Sequence, residues 1–164
     1  FEIKPVDTEF YDKRLRDFLP DRLIDIHTHV WLDEHRTHSD HEFERVVSWP
    51  SLVAKENPIE DLQESYRLMF PGKQVTPLIF SSPKPGDDLD VLNNYFRQCA
   101  QQADVPALIF SSPEWDAETF ERKIIEGRFR GAKGYLSLAP GYLPREEIRI
   151  FDFFPHHQIG RAHV

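Results

Sequence analysis

Leu78-Ile79-Phe80-Ser81-Ser82-Pro83 recurs letter for letter as Leu108-Ile109-Phe110-Ser111-Ser112-Pro113. A short apolar run stopped twice by Ser-Ser-Pro leaves few folds open. Each copy reads as a buried strand followed by an acidic stretch and then by apolar residues at helical spacing. After the first copy these are Leu89, Leu92, Tyr95, Phe96 and Cys99; after the second they are Phe120, Ile124 and Ile125. Asp87 and Asp116 stand where N-caps belong, and Gly127 is placed to close the second helix. The repeat has the length of one β-loop-α unit, and such units in series build a parallel sheet through right-handed crossovers.

The pattern extends in both directions. The predicted order is strand 23–29, a long loop, helix 58–69, strand 75–81, helix 88–102, strand 105–111, helix 116–126 and strand 130–138. The expected class is α/β, a truncated (β/α)8 barrel comprising roughly its first four βα units. An open doubly wound sheet is the alternative, but no Gly-rich phosphate loop follows the first strand to favour it. After Pro144 the chain turns charged and aromatic, and Pro155-His156-His157-Gln158 reads as a helix start.

The first predicted strand carries the chemistry. Leu23-Ile24-Asp25-Ile26-His27-Thr28-His29 ends in two histidines one residue apart. Side chains alternate along a strand, so His27 and His29 are expected on one face, with Asp25 one step deeper on it and Thr28 opposite. Two adjacent imidazoles make a half-site for a divalent transition metal, and unpaired imidazoles on a buried strand would otherwise be costly. Asp25 is expected to support a ligand histidine rather than to bind the ion. The long segment from Trp31 to Asn57 leaves that strand end with His35, His38, His41, Trp49 and Pro50. In a barrel it would form a substrate lid; a solvated charged loop is the alternative for each of its histidines.

Composition narrows the partners. The chain has 164 residues, with 28 Asp and Glu against 20 Lys and Arg. That balance argues against binding a nucleic-acid backbone. No run is apolar enough to span a membrane, and no signal-peptide pattern opens the sequence. The single cysteine, Cys99, excludes an internal disulfide, fits a reducing, cytoplasmic setting and reads as a packing residue.

Asp25-Ile26-His27-Thr28-His29 at the head of repeated βα units resembles the amidohydrolase superfamily of metal-dependent (β/α)8 barrels, particularly its amidohydrolase-2 branch. The resemblance covers roughly Leu23 to Leu138. It implies that His27 and His29 ligate a catalytic divalent ion, usually zinc. Lys133, in Gly131-Ala132-Lys133-Gly134-Tyr135, looks like the fourth-strand lysine that bridges two metals in some members; a lysine reaching a carboxylate past the strand edge is the alternative. Trp31 and Tyr135 are candidate substrate contacts, Tyr135 with a barrel-filling role as its alternative.

The family's later ligands, a histidine on each of strands five and six and an aspartate on strand eight, would lie beyond Gln158, as would the catalytic groups. His156 and His157 precede any fifth strand. The implied activity is hydrolysis of a C–N or C–O bond in a small-molecule amide, lactone or ester by metal-activated water, with this chain inactive alone. A decarboxylase or sugar-acid isomerase of the same fold, or a degenerate non-catalytic barrel, remains open, as does self-association of the complete enzyme. Phosphoesterases of the polymerase-and-histidinol-phosphatase type also open with this histidine pair, but they usually place a small hydroxyl residue next, where Val30 and Trp31 stand here.

The first residue, Phe1, suggests that the natural start lies upstream. Ile159-Gly160-Arg161-Ala162-His163-Val164 is what ATC GGA AGA GCA CAC GTC encodes, which looks like the start of a common sequencing-library adapter. Residues 1–158 are therefore expected to be the natural part, and 159–164 read-through, with His163 excluded as a ligand.

Overall fold

The computed structural model describes residues 2–37 and 53–149. A short helix α1 (Pro5–Phe10) continues into a π-helical turn over Tyr11–Leu15. It docks through Tyr11, which is buried and whose hydroxyl donates to the Pro71 carbonyl at 2.8 Å. Strand β1 (Arg22–His29) follows, and helix α2 (Ile59–Met69) leads to β2 (Gln74–Phe80). Helix α3 (Leu89–Ala103), β3 (Ile109–Phe110), helix α4 (Ala117–Gly127) and β4 (Ala132–Lys133) complete the βα series.

Among the described residues the strands form two parallel two-stranded sheets, and an isolated antiparallel bridge joins Trp31 to Asn57. β1 pairs with β2, a single bridge joins Ile79 to Ala107, and β3 pairs with β4. The spatial order thus follows the sequence. With right-handed crossovers, a sheet that always grows in one direction collects its helices on one side. One apolar cluster accordingly gathers Ile59 and Leu62 of α2, Phe96 and Cys99 of α3 and Phe120 of α4 against Ile79, Phe80, Ile109 and Phe110. On β1, by contrast, Ile24 and Ile26 are 75% and 72% exposed.

Two strands are shorter than their apolar runs suggest, for local reasons. Pro106 has no N–H to give a ladder. At the end of β3, the Asn93 side chain takes both main-chain groups of Phe110, donating to its carbonyl at 3.0 Å and accepting from its N–H at 2.7 Å. Beyond Lys133 the chain leaves the sheet and makes a 3₁₀ turn at Leu136–Leu138. There the Tyr135 hydroxyl donates to the Ser81 carbonyl and the Ser137 hydroxyl to the Pro83 carbonyl, so side chains replace the expected ladder.

The helix ends also differ in detail. Asp116 caps α4 through the Thr119 N–H, but α3 is capped by Asp88, which accepts from Asp90 and Val91. Asp87 instead accepts from the Lys84 and Thr37 N–H groups. Gly127 is the last residue of α4, and the left-handed residue after it is Arg128, at φ 55°. Glycine is needed at 127 for space: a Cβ there would run into the Phe129 ring.

Candidate functional site

The end of β1 holds a bulge. Asp25 pairs with Pro77 and Thr28 with Ile79, so three steps on β1 match two on β2. An inserted residue breaks the alternation of side chains. Asp25 and Thr28 then reach the same group on α2: the Tyr66 hydroxyl donates to Asp25 Oδ2 at 3.0 Å and also meets the Thr28 hydroxyl. Asp25 therefore lies on the helix side, not on the histidines' face as simple alternation suggests. Its other oxygen accepts from the His27 N–H at 3.1 Å, so it reaches the histidines through the main chain. Burial, and secondarily Asp25, raises the Tyr66 pKa and keeps its hydroxyl a donor.

His27 and His29 stand together on the other side. Their rings stack at 5.2 Å between centroids and 17° between planes. Both lean on the Phe80 ring, at 5.1 and 5.0 Å. His29 Nδ1 shares a hydrogen bond with the Ser82 hydroxyl at 3.0 Å, and its carbonyl accepts from the Asn57 side chain at 2.7 Å. Burial, then the neighbouring His27, Lys133 and Arg36, lowers the His29 pKa to about 4. The ring is neutral at pH 7, the form that a metal requires.

Lys133, at the end of β4, comes to the same platform. Its Nζ lies 4.9 Å from the Phe80 ring centre and 5.6 Å from that of Tyr135. Tyr135 is held by its bond to Ser81 and by an edge contact with Phe110, and burial raises its pKa. Trp31 is buried; its indole N–H donates to the Lys55 carbonyl, while its main chain pairs both ways with Asn57. Trp31 meets the site through Arg36, whose guanidinium covers its ring at 5.2 Å.

The fold thus brings His27, His29, Lys133 and Tyr135 around Phe80 and Ser81-Ser82, and it sets Asp25 apart. His35 packs edge-on against Tyr95 of α3. His38, His41, Trp49 and Pro50, like His156, His157, Gln158 and residues 159–164, lie outside the described residues. Among the described residues no group of three or more His, Cys, Asp and Glu is placed to hold a metal; His27 and His29 stand as two adjacent imidazoles, with the Lys133 ammonium over the same Phe80 ring. A cavity of about 420 Å³, bounded by Asp90, Asn93, Arg97 and Lys123, lies between α3 and α4 rather than here. Cys99 is buried, and burial raises its thiol pKa, as suits a packing residue.

Sequence reasoning passed over Phe80, Ser82, Asn57 and Arg36. Ser82 carried a signal, being the second serine of a repeated strand stop. Arg36 and Asn57 lie in the long segment whose path the sequence does not reveal. Comparison with family models, curated proteins and solved structures finds no match. No helix among the described residues is long and apolar enough to cross a membrane.

Proposed function

We propose that this chain is the N-terminal part of a metal-dependent hydrolase of the amidohydrolase type, with residues 1–158 supplying the first four βα units of a (β/α)8 barrel. The observation that carries the reading is the stacked His27–His29 pair ending the first strand, with His29 neutral and Lys133 on the same aromatic platform. The sequential parallel order of the strands supports the barrel over a doubly wound sheet, whose strand order reverses at a switch point.

His27 and His29 would hold the ion, and zinc suits imidazole donors. Lys133 would complete the near side, either as a bridging group or as a contact to substrate. A bound divalent ion supplies a water acidified to near neutrality and a polarised carbonyl. The chain's own residues prepare the donors. With His29 Nδ1–H donating to Ser82, Nε2 keeps its lone pair, and the Phe80 ring sets both imidazoles at one height. The reaction is hydrolysis of an amide, lactone or ester of a small molecule. The remaining ligands and the proton-transfer group belong to later strands. A single, buried cysteine fits a reducing compartment such as the cytoplasm.

Metal analysis and turnover of the purified chain test this together. With zinc added, the chain should bind it weakly, exchange it readily and turn over no amide, lactone or ester in a panel. No zinc binding would overturn the metal site. Tight stoichiometric zinc with turnover would overturn the incomplete-site reading, because catalytic zinc normally needs three protein ligands.

A further inference from the structure

We propose that Arg36 and Lys133 form a binding subsite for an oxyanion, a carboxylate or phosphate group carried by the small molecule that the histidine pair acts on. That last clause rests on the function proposed above; the subsite itself stands on the placement of Arg36 and Lys133 about Ser81 and Phe80 and needs no metal. Arg36 is half-buried, and its Nη2 lies 3.3 Å from Ser81 Oγ while its plane covers Trp31. Ser81 also accepts from Tyr135 through its carbonyl, and Ser82, next in sequence, bonds His29. The two serines ending β2 therefore gather Arg36, Tyr135 and His29 at one place. Lys133 joins them over Phe80, the ring on which His29 leans.

Neither cation forms an ion pair with a carboxylate among the described residues. The nearest acids are engaged elsewhere: Asp87 accepts from the Thr37 and Lys84 N–H groups, and Asp33 pairs with Lys55 at 3.0 Å. In a chain with 28 Asp and Glu against 20 Lys and Arg, two half-buried cations with no carboxylate ion pair among the described residues call for an explanation. Burying unpaired charge is costly, and two like charges near a neutral imidazole add repulsion. Burial indeed lowers the Arg36 pKa, against the partial offset of Asp87 and Asp33. An incoming oxyanion would relieve both costs. The guanidinium offers a planar fork for two parallel hydrogen bonds, and Lys133 offers a point charge. A positive spot on an acidic surface would also steer anionic ligands to the histidines.

The test uses the metal-free chain with arginine side chains labelled for ¹⁵N NMR, titrated with malonate and separately with inorganic phosphate. At least one anion should move the Arg36 Nε signal and the Ser81 and Ser82 amides saturably. Whichever anion binds tighter names the group. Arg36→Gln should weaken binding at least tenfold, and Arg36→Lys by less, with amide signals elsewhere unchanged. Lys133→Met gives a second loss that leaves the Arg36–Trp31 packing in place. Silence to both anions, or undiminished binding by Arg36→Gln, would overturn the subsite. Zinc titration of the same samples separates the two proposals. Anion binding without zinc binding removes the hydrolase reading and leaves the subsite standing, whereas zinc without anions does the reverse.

Discussion

Burial, then the neighbouring His27, Lys133 and Arg36, hold the His29 imidazole neutral, and the consequence is measurable without any metal. The folded ring protonates at about 4 rather than near the ordinary 6.5. Between those values the unfolded chain binds more protons, so stability is lost as pH falls from about 6.5 towards 4 and is unaffected above that window. The shift sets a ceiling of about 3 kcal/mol, which solvent around the partly exposed ring lowers. Urea denaturation of the metal-free chain at pH 7 and pH 4.5 should show the loss, and His29→Gln should shrink it; an equal loss in the variant would contradict the assignment. The histidine pair was legible in the sequence because its spacing is local. The face of Asp25 was not, since one inserted residue in β1 reverses the parity and only the pairing with β2 reveals it. Arg36 was hidden for a similar reason: its partners, Trp31 apart, are set by the path of a loop.

Elements follow the periodicity of apolar residues, and their ends follow tertiary contacts. The strand and helix centres were readable from the repeat. The ends of β3 and β4 were not, because Asn93, Tyr135 and Ser137 supply side-chain bonds to main-chain groups. Asn93→Ala should cost about 3 kcal/mol, since it leaves a buried N–H and a buried carbonyl of Phe110 unpaired. A loss below about 1 kcal/mol in urea denaturation would mean that water or neighbours replace the amide. At the end of α4, Arg128 occupies a left-handed conformation that disfavours a side chain, so Arg128→Gly should stabilise by about 1 kcal/mol. Gly127→Ala should do the opposite, as the added methyl meets the Phe129 ring. Thermal denaturation of the pair distinguishes a conformational role at 128 from a packing role at 127.

At the scale of the whole molecule, parallel strands in sequential order with helices gathered in one cluster leave β1 with an exposed apolar face at Ile24 and Ile26. The chain should therefore bind an apolar dye such as ANS, and Ile24→Thr with Ile26→Thr should reduce that binding while changing stability by less than about 1 kcal/mol. Unchanged dye binding would place the apolar surface elsewhere. The same β1 carries the two histidines at its C-terminal end, which is the end where a (β/α)8 barrel builds its active site. Zinc titration of the metal-free chain, followed through the ¹⁵N signals of the imidazoles, tests that pair most directly. His27 and His29 should shift together with one dependence on zinc, and His27→Ala should abolish the response of both while leaving His35 unmoved. Zinc that shifts neither residue, or that shifts other histidines while these two stay still, would contradict a metal site at the end of β1.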